Sequence, residues 1–207
     1  MVLTHPHADH ITGLLDVLQR YRVRQVLFTD LDYQSPLYDE WLYLIEEEGI
    51  KYTFAQAGQK IELGIEGVTI EVLNPANPLP DNAEINLDDI GVVLRVCSGQ
   101  VSFLLTADIT AETESELMKC RANLCSTVLK AGHHGSSTST SPGFLAAVDP
   151  QIAVISVGAD NTFGHPADEV MERLEEEIGG ENIYRTDEHG TIEFITDGEK
   201  LWVRVER

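Results

Sequence analysis

Four potential metal ligands fall within six positions near the start of the chain, in His5-Pro6-His7-Ala8-Asp9-His10. They follow a short apolar stretch, residues 1–4, that reads as a strand, and they lead into a helical pattern. Side chains two apart in extended backbone point the same way, so His5 and His7 can grip one ion together. Where the chain turns into the helix, Asp9 and His10 swing toward a second ion. Neutral imidazole with carboxylate suits zinc, manganese or iron, and adjoining N/O sites are the usual two-metal arrangement.

The other histidines also gather at expected element ends. Of seven in the chain, none falls in the middle of a helical pattern. The strand-like run Leu104-Leu105-Thr106-Ala107 ends on Asp108, whose carboxylate is placed to give one oxygen to each of two ions. Val128-Leu129-Lys130-Ala131-Gly132 runs into His133-His134-Gly135-Ser136. One of these two histidines completes the second metal site and the other faces substrate; alternation does not decide which. In Asn161-Thr162-Phe163-Gly164-His165-Pro166, His165 stands where a helix N-cap belongs, or where a substrate-side acid or phosphate contact would lie. His189 reads as a turn residue.

Between these motifs the period changes along the chain. Residues 10–21 read as a helix with Ile11, Leu14, Leu15 and Leu18 on one face. A strand at 23–28 follows, then a helix that Ser35-Pro36 starts and Gly49 stops. Residues 51–72 alternate as strands, and 74–89 form a loop with three prolines. Strands at 92–97 and 101–106, a helix at 110–119, a strand at 127–131, a short helix near Phe144 and a strand at 152–157 come next. A helix at 166–178 precedes closing strands near Ile183, Ile192 and Leu201. This order is expected to give one α/β domain over residues 1–207, with a β-core inside and helices outside.

Composition narrows the partners. Thirty-five acids against fourteen bases give a net charge of −21, which opposes a polyanion over most of the surface. Bound metal ions reverse that sign only locally. The three cysteines form no CxxC pair, so a zinc ribbon or disulfide scaffold is not expected, and Cys97 reads as core. No apolar run reaches the roughly 18 residues of a membrane span, and no signal peptide is visible. The chain is therefore expected to be cytoplasmic by default.

With Thr4-His5-Pro6-His7-Ala8-Asp9-His10 the sequence resembles the metallo-β-lactamase superfamily. Leu105-Thr106-Ala107-Asp108-Ile109, Leu129-Lys130-Ala131-Gly132-His133-His134-Gly135-Ser136 and Ile155-Ser156-Val157-Gly158 narrow the resemblance. Asn161 with Gly164-His165-Pro166, and Tyr184-Arg185-Thr186-Asp187 with Gly190, complete it. Together, in this order, they resemble the hydrolase domain of ComEC-type DNA-uptake proteins over nearly the whole chain. The resemblance implies an αββα sandwich holding a binuclear site of zinc or manganese. His5 and His7 then bind the first ion, Asp9 and His10 the second. Asp108 bridges, and His134, with His133 as the alternative, completes the second site.

The implied reaction is phosphodiester hydrolysis of DNA, with Asp9 orienting the nucleophile and His134 or His165 stabilising developing charge. A membrane DNA-uptake channel is the implied associate, and a longer protein of this type would be membrane-associated. Two departures qualify the pattern. The strand pair that opens the family's domain is missing ahead of Met1, which implies an N-terminally shortened sandwich. No histidine lies between His10 and His133. Asn86, Asp88 and Asp89 occupy the corresponding stretch, and Asp89 is the expected substitute ligand. Two other readings compete: a small-molecule phosphodiesterase or phosphorylcholine-esterase-like enzyme, which suits the charge, and a catalytically inactive remnant.

Overall fold

Strand periodicity sorts the apolar residues into separate cores. A computed structural model describes residues 1–76 and 86–207; the middle of the proline loop, including Pro78 and Pro80, lies outside the described residues. The largest sheet has seven strands in the order β3-β4-β5-β6-β7-β8-β9. These are β3 (Lys60–Ile61), β4 (Val68–Asn74), β5 (Val93–Ser98), β6 (Val101–Leu105), β7 (Val128–Lys130), β8 (Ile152–Ile155) and β9 (Ile183–Arg185). Successive side chains on a strand face opposite ways. Val72 and Leu94 therefore join Leu27 and Val92 in one core, while Leu73 and Val93 join Leu104, Leu129 and Ile155 in another.

That second core is roofed by helices α3 (Ala111–Lys119), α4 (Pro142–Val148) and α5 (Asp168–Ile178). On the other side, β1 (Gln25–Phe28) pairs in parallel with β2 (Lys51–Phe54), and Val2 bridges to Leu27. Helices α1 (Ala8–Arg20) and α2 (Pro36–Glu47) cover this small sheet, burying Ile11, Leu15, Leu18, Tyr38, Trp41 and Ile45 with Val26 and Phe28. The layers thus run helix, sheet, sheet, helix, the αββα order expected from the motifs. Residues 1–4 contribute a single bridge rather than a full strand. The closing strands β10 (Ile192–Thr196) and β11 (Leu201–Val205) pair with each other as an antiparallel hairpin, after the one-turn helix α6 (Thr186–His189).

Topology explains why candidate ligands from distant sequence positions meet. Strands β6 to β9 are mutually parallel, so their C-terminal ends share one edge. Asp108 follows β6, His133 and His134 follow β7, and Ser156 to His165 follow β8. Strand β5 runs antiparallel to β6, so the turn before it, residues 86–91, enters at the same edge. Thr4 reaches that edge because its carbonyl accepts the Val92 amide at 3.0 Å. Ligands outside the carboxyl ends of parallel strands are the general outcome in such sheets.

Glu114, on α3, anchors the chain behind the two histidines. Only 1% exposed, its carboxylate accepts the amides of Thr140 and of Ser141, the latter at 2.8 Å. Burial raises its pKa, and those hydrogen bonds with the nearby Arg173 oppose but do not cancel the rise. Glu114→Ala leaves both amides without their acceptor, so a loss of about 3 kcal/mol is expected in urea denaturation. A midpoint equal to that of the native chain would contradict this anchoring.

Candidate metal centre

Six of the seven histidines converge at the shared edge; His189 stays apart, its Nδ1 accepting the Arg185 amide at 3.1 Å. One group of potential ligands is Asp9, His10, Asp108 and His134. Asp108 Oδ2 lies 3.1 Å from His10 Nε2, 3.2 Å from His134 Nε2 and 3.8 Å from His5 Nε2. Asp9 Oδ2 stands 3.3 Å from His134 Nε2 and 3.5 Å from His10 Nε2, on the open side of the pocket.

A second group, His5, His7 and Asp88, adjoins the first. Asp88 Oδ1 is 3.2 Å from His7 Nδ1 and 3.7 Å from His5 Nε2, and Asp88 Oδ2 is 3.8 Å from His133 Nδ1. The two vicinal histidines therefore separate: His134 joins His10 and Asp9, whereas His133 turns to Asp88. That division settles their positions in the pocket, which alternation left open. It follows from the backbone, because both residues have positive φ, 46° and 55°. Left-handed backbone costs roughly 1–3 kcal/mol at such residues and collects at functional sites. Ala107, just before Asp108, is also left-handed at φ 50°.

Asp89, the expected oxygen donor, is occupied elsewhere. Its Oδ1 accepts the Thr110 amide at 3.0 Å and the hydroxyls of Thr110 and Thr113 at 2.7 and 2.8 Å. Its Oδ2 accepts from Asn86 at 2.9 Å. Asp89 thus ties the 86–91 turn to the start of α3, and in a tight turn the preceding side chain points the other way, into the pocket. Asp88, not Asp89, is the carboxylate that lies beside His5 and His7. Gly91 lets the turn close, since a Cβ there would lie 2.9 Å from the Asp88 carbonyl oxygen.

His165 is not a helix N-cap, which falls on Ala167 with no side-chain bond. Its ring centroid instead lies 5.8 Å from that of His133. The two motifs meet at Gly135, where φ is 81° and a Cβ would sit 2.7 Å from Cβ of Pro166. The Ala167 amide then donates to the Gly135 carbonyl at 2.9 Å. Cys97 is partly buried, with Arg95 Nη1 2.7 Å from its sulfur, and lies outside the pocket.

Three supporting groups have no signature in residue spacing. Thr4 Oγ1 lies 3.2 Å from Nδ1 of both His5 and His10. A hydroxyl oxygen can accept from both Nδ1–H groups, which turns both Nε2 atoms toward Asp108. Ser156 does the same for His134, its carbonyl accepting Nδ1–H at 2.7 Å. Lys130 Nζ donates at 3.3 Å to the carbonyls of Ala107 and Ala131, bracing the segments that carry Asp108 and His133. Thr4→Val is expected to weaken zinc binding about 10- to 100-fold in a chelator-competition titration. Unchanged affinity would remove Thr4 from the centre.

The donor set fits a cation. Among the described residues, five buried side-chain nitrogen and oxygen atoms have no hydrogen-bond partner, and four are His5 Nε2, Asp88 Oδ1, Asp108 Oδ1 and His133 Nδ1. Buried polar atoms without partners are costly, and four of them gathered in one place suit a bound cation. Burial first, then His10, push the His5 pKa down to about 3, which leaves its imidazole neutral for ligation near pH 7. Burial alone would raise the Asp108 pKa, but His10, His134 and Lys130 outweigh it and hold the carboxyl well below its ordinary range. Burial also raises the Asp88 pKa against the pull of His133 and His7.

Known proteins share the sequence pattern and the fold. The family description "Metallo-beta-lactamase superfamily" matches residues 1–159. ComE operon protein 3 of Bacillus subtilis is 30% identical over 194 residues, 94% of this chain and 24% of that protein. Competence protein ComA of Neisseria gonorrhoeae is 40% identical over 132 residues, 62% of this chain and 18% of that protein. The chain thus spans less than a quarter of the length of either relative. The crystal structure of the metallo-beta-lactamase fold protein YhfI from Bacillus subtilis shares the fold, with a TM-score of 0.53 at 13% identity. That match covers 98% of this chain and 76% of YhfI. Among the described residues no helix is long and apolar enough to cross a membrane. The αββα layers, the histidine and aspartate pocket at the sheet edge and the matched family make this chain a member of the metallo-beta-lactamase superfamily, similar in sequence to competence proteins.

Proposed function

We propose that the chain is a two-metal phosphodiesterase that cleaves DNA strands. The observation that carries this reading is the position of Asp108 Oδ2, within 3.8 Å of His5, His10 and His134 at the junction of both ligand groups. His5, His7 and Asp88 would hold one ion, with His133 beside them; Asp9, His10 and His134 would hold the other, and Asp108 stands between the two groups. Divalent ions bound there, zinc or manganese, supply an acidified water and neutralise developing negative charge.

Charge supports a phosphodiester as substrate. Metal ligands bind in their deprotonated forms, so three carboxyl groups, from Asp9, Asp88 and Asp108, against two divalent ions would leave the pocket one charge positive. That matches a phosphodiester monoanion and reverses the sign of the surrounding surface only locally. Asp9, at the open side, would orient the attacking water by accepting a hydrogen bond from it. His165, whose ring lies 5.8 Å from that of His133, would stand on the substrate side and hydrogen-bond the leaving oxygen.

The similarity to competence proteins favours DNA, in association with a membrane uptake channel in a longer protein. The net charge of −21 favours a second reading, a small phosphodiester as substrate. Hydrolysis assays separate them. With manganese or zinc, the chain is expected to cleave oligodeoxynucleotides, at a rate that falls as salt rises. Turnover of bis-p-nitrophenyl phosphate with intact DNA would favour the second reading, and no turnover of either would leave an inactive remnant.

A further inference from the structure

Phe163 is 81% exposed, the most exposed of the large apolar side chains among the described residues. Its ring lies nearly parallel to that of His165, at 17° with centroids 6.0 Å apart, and His165 lies 5.8 Å from His133. The three rings therefore form a row running outward from the metal-ligand pocket. The loop beneath is braced. Asn161 Nδ2 donates to the carbonyls of Gly158 and His165, each at 2.9 Å, and its Oδ1 accepts the His165 amide at 3.1 Å. Gly164, at φ 75°, makes the turn that lifts Phe163 clear of the surface.

We propose that Phe163, backed by His165, is a stacking platform for a nucleobase flanking the scissile phosphate. This rests on the phosphodiesterase reading and adds to it a requirement for an unpaired, base-bearing strand. A flat aromatic face held on a braced loop binds a base with little ordering cost. Stacking also suits this surface. With thirty-five acids against fourteen bases, phosphate contacts to lysine and arginine are scarce, and a ring-to-ring contact works without a cation. The base is drawn to the row's outer end while its phosphate reaches the pocket at the inner end.

The test compares hexathymidylate with the same backbone carrying abasic residues, using the full chain loaded with manganese. The native chain is expected to prefer the base-bearing strand about tenfold in kcat/KM, mostly through KM. Phe163→Ala should bring that ratio close to one, and Phe163→Trp should restore it. Trp202→Ala, an exposed aromatic on β11 outside the pocket, should keep the native ratio. Cleavage of both strands at equal efficiency by the native chain would overturn the platform and leave the phosphodiesterase reading standing. A ratio unmoved by Phe163→Ala would do the same. If neither strand is cleaved, fluorescence anisotropy decides: a base preference lost in Phe163→Ala supports the platform, and no preference overturns it.

Discussion

Asp108→Asn is expected to lower metal-dependent phosphodiester turnover by about a thousandfold or more while leaving the chain folded. The side chain is buried, and its Oδ2 lies between the two ligand groups. An amide keeps the shape but offers one neutral oxygen, so it cannot neutralise and join two cations. Asp9→Ala should be comparably damaging for a different reason, since Asp9 is exposed at the mouth and is assigned to the attacking water. Both variants are measured by initial rates on bis-p-nitrophenyl phosphate and an oligodeoxynucleotide, with circular dichroism to verify folding. Native rates in both would remove these residues from the chemistry.

Removing metal is expected to lower the melting temperature by about 10 °C. The metal-free pocket holds four buried polar atoms without partners, and Asp9, Asp88 and Asp108 crowd together. Ions that bind only the folded chain stabilise it by about 4 kcal/mol at a thousand times their dissociation constant. For a chain of this length each kcal/mol moves the midpoint by roughly 2–4 °C. Scanning calorimetry with EDTA and then with excess zinc reads the difference. Identical midpoints would mean that the cluster does not bind metal tightly enough to matter.

The sequence carried the layers and most of the pocket because both depend on local period and strand ends. Ile11, Leu15 and Leu18 fall on one face of α1 by spacing alone, and they are buried. Asp108 and His133-His134 stand at the ends of apolar runs, and parallel pairing of β6 with β7 brings those ends together. What spacing does not carry is the direction of a side chain in a tight turn. Asp88 and Asp89 are neighbours of one residue type, and only the threonines at 110 and 113 reveal which is drawn away. The separation of His133 from His134 likewise depends on left-handed backbone at two non-glycine residues, a conformation that residue type does not announce. Thr4 resembles any polar residue at the end of an apolar stretch until His5 and His10 fold back on its hydroxyl.

We propose a centre for two ions built from His5, His7, Asp9, His10, Asp88, Asp108, His133 and His134. Elemental analysis of the chain after saturation with zinc or manganese and removal of free ion tests it most directly. Two ions per native chain and at most one in Asp108→Asn is the expected result. A native chain that retains neither metal would contradict it.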